Sequence, residues 1–339
     1  RCNERGKDYY PSSTLLLFFK ILEKVKYMSE KKIYKIRPIL QSTVWGGKKI
    51  KEYYGLDTKL SNVAQMYHVI ALKNHLDNEI IGENCTLSGF YENNPKLFNC
   101  SCKEFPIRMA TSCSEHKMSY HLHPDNAYAY EHEHCMGKVS GSIPYESKGI
   151  IKKRFFGHNA QTMEELKKMV EENDWGHFCR YIDVRDDQYF HTPAGVIHGG
   201  GEGGAISIVF STNSDITYRL YDYGRNDPSR KLHIKQVYDC INMPEKELKP
   251  IDVMIEKKEN LKISHYYDHP KEYTGLRLDI SGKCNFECPY FAFYLVAKGE
   301  GTINGLQVKQ GETIFVPSEF GKLNLDGVMK LYSISYRDN

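Results

Sequence analysis

A mostly β protein, built as two jelly-roll barrels with a small helical insertion between or beside them, is the fold class the sequence predicts. Three observations carry this expectation. Short apolar runs alternate with Asn-, Gly- and Pro-rich clusters along most of the chain, the pattern of antiparallel strands joined by tight turns. Two histidine-bearing stretches, Ser119-Tyr-His-Leu-His-Pro-Asp-Asn126 and Thr192-Pro-Ala-Gly-Val-Ile-His-Gly199, read as segments that pairing in a first barrel can carry to one cavity. The C-terminal part repeats short strand signals at close spacing, with Gly and Pro at the turns, which reads as a second small jelly-roll.

Length and composition bound the rest. At 339 residues the chain suits two domains, or one with a large appendage. Its 46 Lys+Arg against 43 Asp+Glu leave +3, too little for a polyanion-binding protein unless the basic residues cluster. The runs Lys48-Lys49-Ile50-Lys51 and Lys152-Lys153-Arg154 are short and read as solvated faces, so no nucleic-acid partner is expected. The 10 cysteines are scattered without a Cys-x-x-Cys pair, which argues against zinc-ribbon and thioredoxin readings and for reduced thiols in the cytoplasm. Cys284-Asn-Phe-Glu-Cys288 leaves a loop disulfide or a metal clip open, with accidental proximity the preferred reading.

In order, residues 1–27 read as an extension outside the fold. Their apolar run Ser12-Ser-Thr-Leu-Leu-Leu-Phe-Phe19 falls far short of the roughly 20 residues a bilayer requires. Acidic Glu4 and Asp8 sit where a signal peptide would be positive, so no membrane partner is expected. Ile33-Tyr-Lys-Ile-Arg-Pro-Ile39 is the first convincing strand, and residues 28–245 form the expected first domain with its helical segment. Trp45 is expected in a core beside the Gly46-Gly47 turn.

After the His-x-His stretch, Asp125 to His134 reads as a short helix with Asp125 or Asn126 as its cap. His132 and His134, two apart on a helix, cannot chelate one ion and read as a solvated face. Thr162 and Glu165 have capping-box spacing, and Leu166, Met169 and Val170 form a stripe at helical period. Asp186 to Gly195 reads as turn, strand and tight turn into His198; Leu232 to Ile241 reads as a helix closed by Pro244. Residues 246–339 form the expected second domain, metal-free and structural. Its strand signals include Phe291-Ala-Phe-Tyr-Leu-Val296 and Gly311-Glu-Thr-Ile-Phe-Val-Pro317.

The candidate chemistry lies in the histidines. On an extended strand His121 and His123 project to one side while Tyr120 and Leu122 point to the other. With His198 they make a candidate three-imidazole site for a divalent metal, with zinc, iron, nickel or manganese all open. Arg219 lies on a Thr/Tyr-rich segment, where a guanidinium can face an anion; a structural salt bridge with Asp222 or Asp215 is the equally weighted alternative.

Taken together, Val44-Trp-Gly-Gly47, His123-Pro-Asp125, Gly157-His-Asn-Ala160, Pro193-Ala-Gly-Val-Ile-His198 and Ser214-Asp-Ile-Thr-Tyr-Arg-Leu-Tyr-Asp-Tyr223 resemble the type I mannose-6-phosphate isomerases, the bacterial short-chain group of bicupin proteins. The resemblance runs from about residue 33 to the C-terminus and implies two cupin barrels. It also implies a metal, zinc before iron or manganese, on His121, His123 and His198, with His121 standing where the family has Gln. Ser119, Lys138 and Arg219 would bind the sugar phosphate, and Lys138 and Arg219 would place cationic charge by it and by the developing enediolate.

The chain departs from that pattern at the family's metal-binding Glu, where it has Ser140; Glu146 would substitute only in a rebuilt loop. Ala64-Gln-Met-Tyr67 replaces a Gly-Glu-x-Trp element, Ala110 a Lys, and Val209 an acidic residue. The leading expectation is a metal-dependent interconversion of mannose 6-phosphate and fructose 6-phosphate by a cytoplasmic monomer or homodimer. The alternatives are a catalytically degenerate relative that binds a sugar phosphate or metal in a regulatory role, and a three-His iron cupin with dioxygenase chemistry.

Overall fold

The structure, a computed structural model, describes residues 32–146, 152–199, 204–225 and 227–339. The extension expected over residues 1–27 lies outside the described residues. Strands far outnumber helices, and the paired strands are antiparallel throughout.

One six-stranded sheet runs in the order Phe190–Thr192, Ser140–Tyr145, Ile206–Thr212, Ile107–Ser112, Gln65–Val69 and Ile39–Gln41. Strand alternation gives its two faces different chemistry. Ile107, Met109, Ile143, Tyr145, Ile208 and Phe210 enter a large apolar core. Arg108, Ser140, Ser142, Ser207 and Val209, between them in sequence, line a cavity instead.

Across that cavity lie two short ribbons, Lys152–His158 paired with Cys179–Val184 and Tyr120–Leu122 paired with Tyr218–Tyr221. His198 joins them, bridging to Phe156 on one side and His121 on the other. Behind the ribbons, Tyr120, Leu122, Phe155, Ile197, Tyr218 and Leu220 form a second core. The helices Met163–Glu171 and Ile234–Cys240 cover it with Leu166 and Val237. Thr162 caps the former, its hydroxyl accepting the Glu165 amide at 3.2 Å. Asp125 caps Asn126–Glu133 through the Tyr128 amide, and His132 on that helix is exposed, as expected.

The C-terminal strands Leu261–His269, Tyr273–Ser281, Gly321–Ser335, Ala292–Ile303 and Thr313–Val316 follow one another in a larger sheet. Along Ala292–Ile303 the side chains alternate between two cores. Phe293 and Leu295 meet the core shared with the six-stranded sheet, and Tyr294 and Val296 enter an apolar core of the C-terminal strands. Burial on both faces explains the unbroken run Phe291–Ala297.

The first strand crosses the division expected at residue 245. Tyr34–Arg37 pairs with Thr313–Val316, placing Tyr34 opposite Phe315, so the N-terminal strand completes the C-terminal sheet. No disulfide joins Cys284 to Cys288; they stand at opposite ends of one extended strand, opposite Leu325 and Gly321. Among the described residues no helix is long and apolar enough to cross a membrane.

Candidate metal and anion site

The His-x-His strand and the Pro-Ala-Gly turn are locked together by their backbones. The His121 amide donates to the His198 carbonyl at 3.0 Å, and the His198 amide returns the bond to His121 at 2.8 Å. Gly195 makes the turn: its φ of +78° suits glycine, and a Cβ there would stand 2.6 Å from the Cys240 carbonyl oxygen. Its amide donates to the His123 carbonyl at 2.9 Å, which fixes the turn against the other histidine.

The three imidazoles converge as the sequence predicts, with ring centroids 4.5, 5.1 and 5.5 Å apart. One potential ligand atom from each lies within 4.8 Å of the others. Each Nδ1 contacts a backbone carbonyl: His121 that of Ser119 at 2.8 Å, His123 that of Ile216 at 2.7 Å, and His198 that of Val196 at 2.9 Å. A neutral imidazole donating from Nδ1 has its lone pair on Nε2, so these contacts leave three Nε2 acceptors for the site. Burial holds His121 and His123 well below the usual imidazole range and His198 at about 4. Neutral, carbonyl-oriented imidazoles, two buried and the third, His198, half-buried, fit a divalent cation.

The carboxylate positions are different. Ser140 faces the cavity from its strand and brings no charge. Glu146, the potential substitute, is drawn away to Lys298 at 3.0 Å. Of the cavity's described lining residues, Arg108, Lys138, Arg154, Arg219 and Arg230 are basic, and Asp215 is the one carboxylate. Asp215 contacts His75 Nε2 at 3.0 Å.

Arg219 is free of the salt bridges weighed for it. Asp222 is held by Arg225 and Arg230, both at 2.8 Å. Competition for one carboxylate thus leaves the Arg219 Nε buried without a hydrogen-bond partner. Lys138 is also placed at the cavity, but burial first and Arg108 second hold its amine well below the ordinary lysine range. Ser119 lines the cavity and offers its carbonyl to His121.

Three further features escape motif reading. Trp45 is buried but contributes to the cavity wall. Arg154, expected on a solvated face, instead turns into the cavity on the same side of its strand as Phe156; strand alternation was the available signal. Glu245, remote in sequence, accepts the His158 amide at 2.6 Å and the Ile197 amide at 3.3 Å, bracing the residue before His198. Burial pushes its carboxyl up to about 7.

A mostly β architecture with three convergent neutral imidazoles in a basic cavity defines a candidate metal-and-anion-binding protein. Comparison with known proteins finds similarity to proteins named mannose-6-phosphate isomerases. It is 28% identical over 309 residues to the probable mannose-6-phosphate isomerase GmuF of Bacillus subtilis, a match spanning 86% of this chain and 95% of that one. It is 27% identical to the mannose-6-phosphate isomerase of Streptococcus mutans, over 86% of this chain and 94% of that one.

No family model matches the chain. In fold it is similar to the crystal structure of the Bacillus subtilis mannose 6-phosphate isomerase, with a TM-score of 0.84 at 22% identity, covering 90% of this chain and 99% of that one. A mannose 6-phosphate isomerase bound with zinc and yttrium is also similar in fold, with a TM-score of 0.68 and 13% identity; the match covers 90% of this chain and 99% of that one.

Proposed function

We propose that the protein is a metal-dependent aldose–ketose isomerase interconverting mannose 6-phosphate and fructose 6-phosphate. The observation that carries this reading is the trio of neutral imidazoles with Nδ1 contacts to backbone carbonyls, beside Lys138 and the incompletely bonded Arg219. The named relatives support the substrate class. His121, His123 and His198 would hold the metal, zinc in this reading. When bound, it supplies Lewis-acid stabilisation of sugar oxygens as negative charge develops.

The protein's own groups supply the rest. Arg219 donates N–H bonds to an anionic substrate oxygen, and the cavity's basic lining favours the phosphate. Lys138 moves the proton in our assignment. Its buried amine, disfavoured as an ammonium, takes the proton from C2 to give an enediolate; the hydroxyl proton passes from O2 to O1, and the amine returns its proton to C1, completing the aldose-to-ketose shift. The sheet and the ribbons form opposite walls of the site.

We assign the fold as two cupin barrels, with residues 28–245 and 246–339 as their main units and Tyr34–Arg37 exchanged into the second sheet. The metal-free assignment of the second unit, a cytoplasmic location and a monomer or homodimer complete the proposal. The free thiols among the described residues fit a reducing compartment.

A catalytically degenerate sugar-phosphate binder is the second reading, and Ser140 favours it by leaving that wall without a carboxylate. A coupled assay of fructose 6-phosphate formation on zinc-loaded protein separates the two. Turnover that falls at least about 100-fold in His123→Ala, with metal content falling in parallel, is the expected result. No turnover at any metal loading rejects the isomerase.

A further inference from the structure

Beyond its share in the basic lining, Arg154 has no assigned task in the proposed reaction. Arg108 donates to the Ser214 carbonyl at 2.7 Å, and Arg230 pairs with Asp222. Arg154 instead meets two neutral hydroxyls, with Nη1 2.6 Å from Ser142 Oγ and Nη2 3.3 Å from Ser207 Oγ. No ion pair joins it to a carboxylate among the described residues. A guanidinium has five N–H donors, so two hydroxyl contacts leave further donor capacity. A brace for the sheet would account for both contacts, but not for a cation placed on the cavity face without a paired anion. Burial lowers the Arg154 pKa to about 10, which leaves it charged near neutrality.

Its place relative to the histidines gives this charge a direction. The backbone register runs Phe156, His198, His121, Arg219, with each adjacent to the next. At about 4.8 Å per strand spacing, the outer two positions are about 14 Å apart. Arg154 shares the face of Phe156, two residues along. The imidazole trio therefore lies between a cationic side at Arg219 and another at Arg154.

We propose that Arg154, with Ser142 and Ser207, forms a second anion-binding pole and that the cavity accepts a sugar phosphate carrying another anionic group at the end of the carbon skeleton remote from its phosphate. This rests on the reading of the cavity as a sugar-phosphate site. The second group is a phosphate or carboxylate; either accepts N–H bonds from a guanidinium.

Calorimetric titration of the full zinc-loaded chain with mannose 6-phosphate, a hexose 1,6-bisphosphate and a 6-phosphoaldonate tests the proposal. At least one doubly anionic probe is expected to bind tenfold or more tightly than mannose 6-phosphate, and the probe that gains identifies phosphate or carboxylate. In Arg154→Gln that preference falls below threefold; Arg154→Lys retains an intermediate value. Should Arg154→Gln fail to show a native melting curve, Ser142→Asp, which sets a carboxylate against the guanidinium, is expected to abolish the preference.

Equal affinity in the native protein, or a preference untouched by both neutralising variants, overturns the proposal. Turnover of mannose 6-phosphate without a preference for the doubly anionic probes refutes this inference and leaves the isomerase. An Arg154-dependent preference without turnover does the reverse.

Discussion

The histidine-bearing cavity and the interior of the C-terminal strands are both enclosed by antiparallel strands, yet one is a site and the other is a core. Around the C-terminal core the inward positions are Leu278, Ile280, Val296, Ile314, Leu323 and Leu331, whose apolar side chains pack together. In the cavity the sheet offers Arg108, Ser140, Ser142, Ser207 and Val209, and the opposing ribbons offer imidazoles and the guanidinium groups of Arg154 and Arg219. Small hydroxyls leave volume, and cationic heads resist close packing with one another. A fold alone thus does not decide where chemistry resides; the side chains on one face of a few strands do.

Cutting into the packed interior should have the largest effect. Leu331, fully buried in the C-terminal core, loses a well-packed side chain in Leu331→Ala, and stability should fall by about 3 kcal/mol in urea unfolding. Metal-binding capacity per folded molecule should remain unchanged. Loss of that capacity at full folding would break the separation between structural core and site.

The cavity should respond in the opposite way. Arg219→Gln removes a charged donor without opening a core, and kcat should fall by an amount equivalent to about 2 kcal/mol, roughly 30-fold, while the melting temperature changes little. Comparable kcat in the two proteins would remove Arg219 from transition-state binding.

The smallest effect concerns the junction of the regions. His68 contacts Thr111 of the six-stranded sheet at 2.8 Å and Thr313 of the larger sheet at 3.1 Å. Burial lowers its pKa from 6.5 to about 3. Its neutral native form therefore contributes stability that is present above pH 6.5 and lost progressively as pH falls toward 3, because the unfolded chain binds the proton first. The slope from this residue is at most about 1.4 kcal/mol per pH unit. Urea unfolding at pH 7.5, 6 and 5 should show a shallower acid loss in His68→Gln; identical slopes would deny the residue this role.

The visible motifs and the hidden residues differ for a physical reason. His121 and His123 could be assigned to one face because alternation along a strand is a local rule, and the Pro-Ala-Gly turn announced His198. Arg154 was misread because a run of basic residues looks solvated whenever the opposite sheet is unknown. The bracing by Glu245 is similarly obscured, since its backbone partners, His158 and Ile197, are distant in sequence. Arg219 left two alternatives open until the distances assigned Asp222 to Arg225 and Arg230.

By itself, the sequence determined the strand-rich class, the capped Met163–Glu171 helix and the three imidazoles of the candidate site. These follow from turn residues, periodicity and spacing, all of which act over a few residues. Only the tertiary structure decided that Tyr34–Arg37 completes the C-terminal sheet, that Arg154 faces the histidines, and that the cavity has one described carboxylate among its basic groups. Pairing between distant strands and competition for a buried partner depend on three-dimensional proximity, which local order along the chain does not encode.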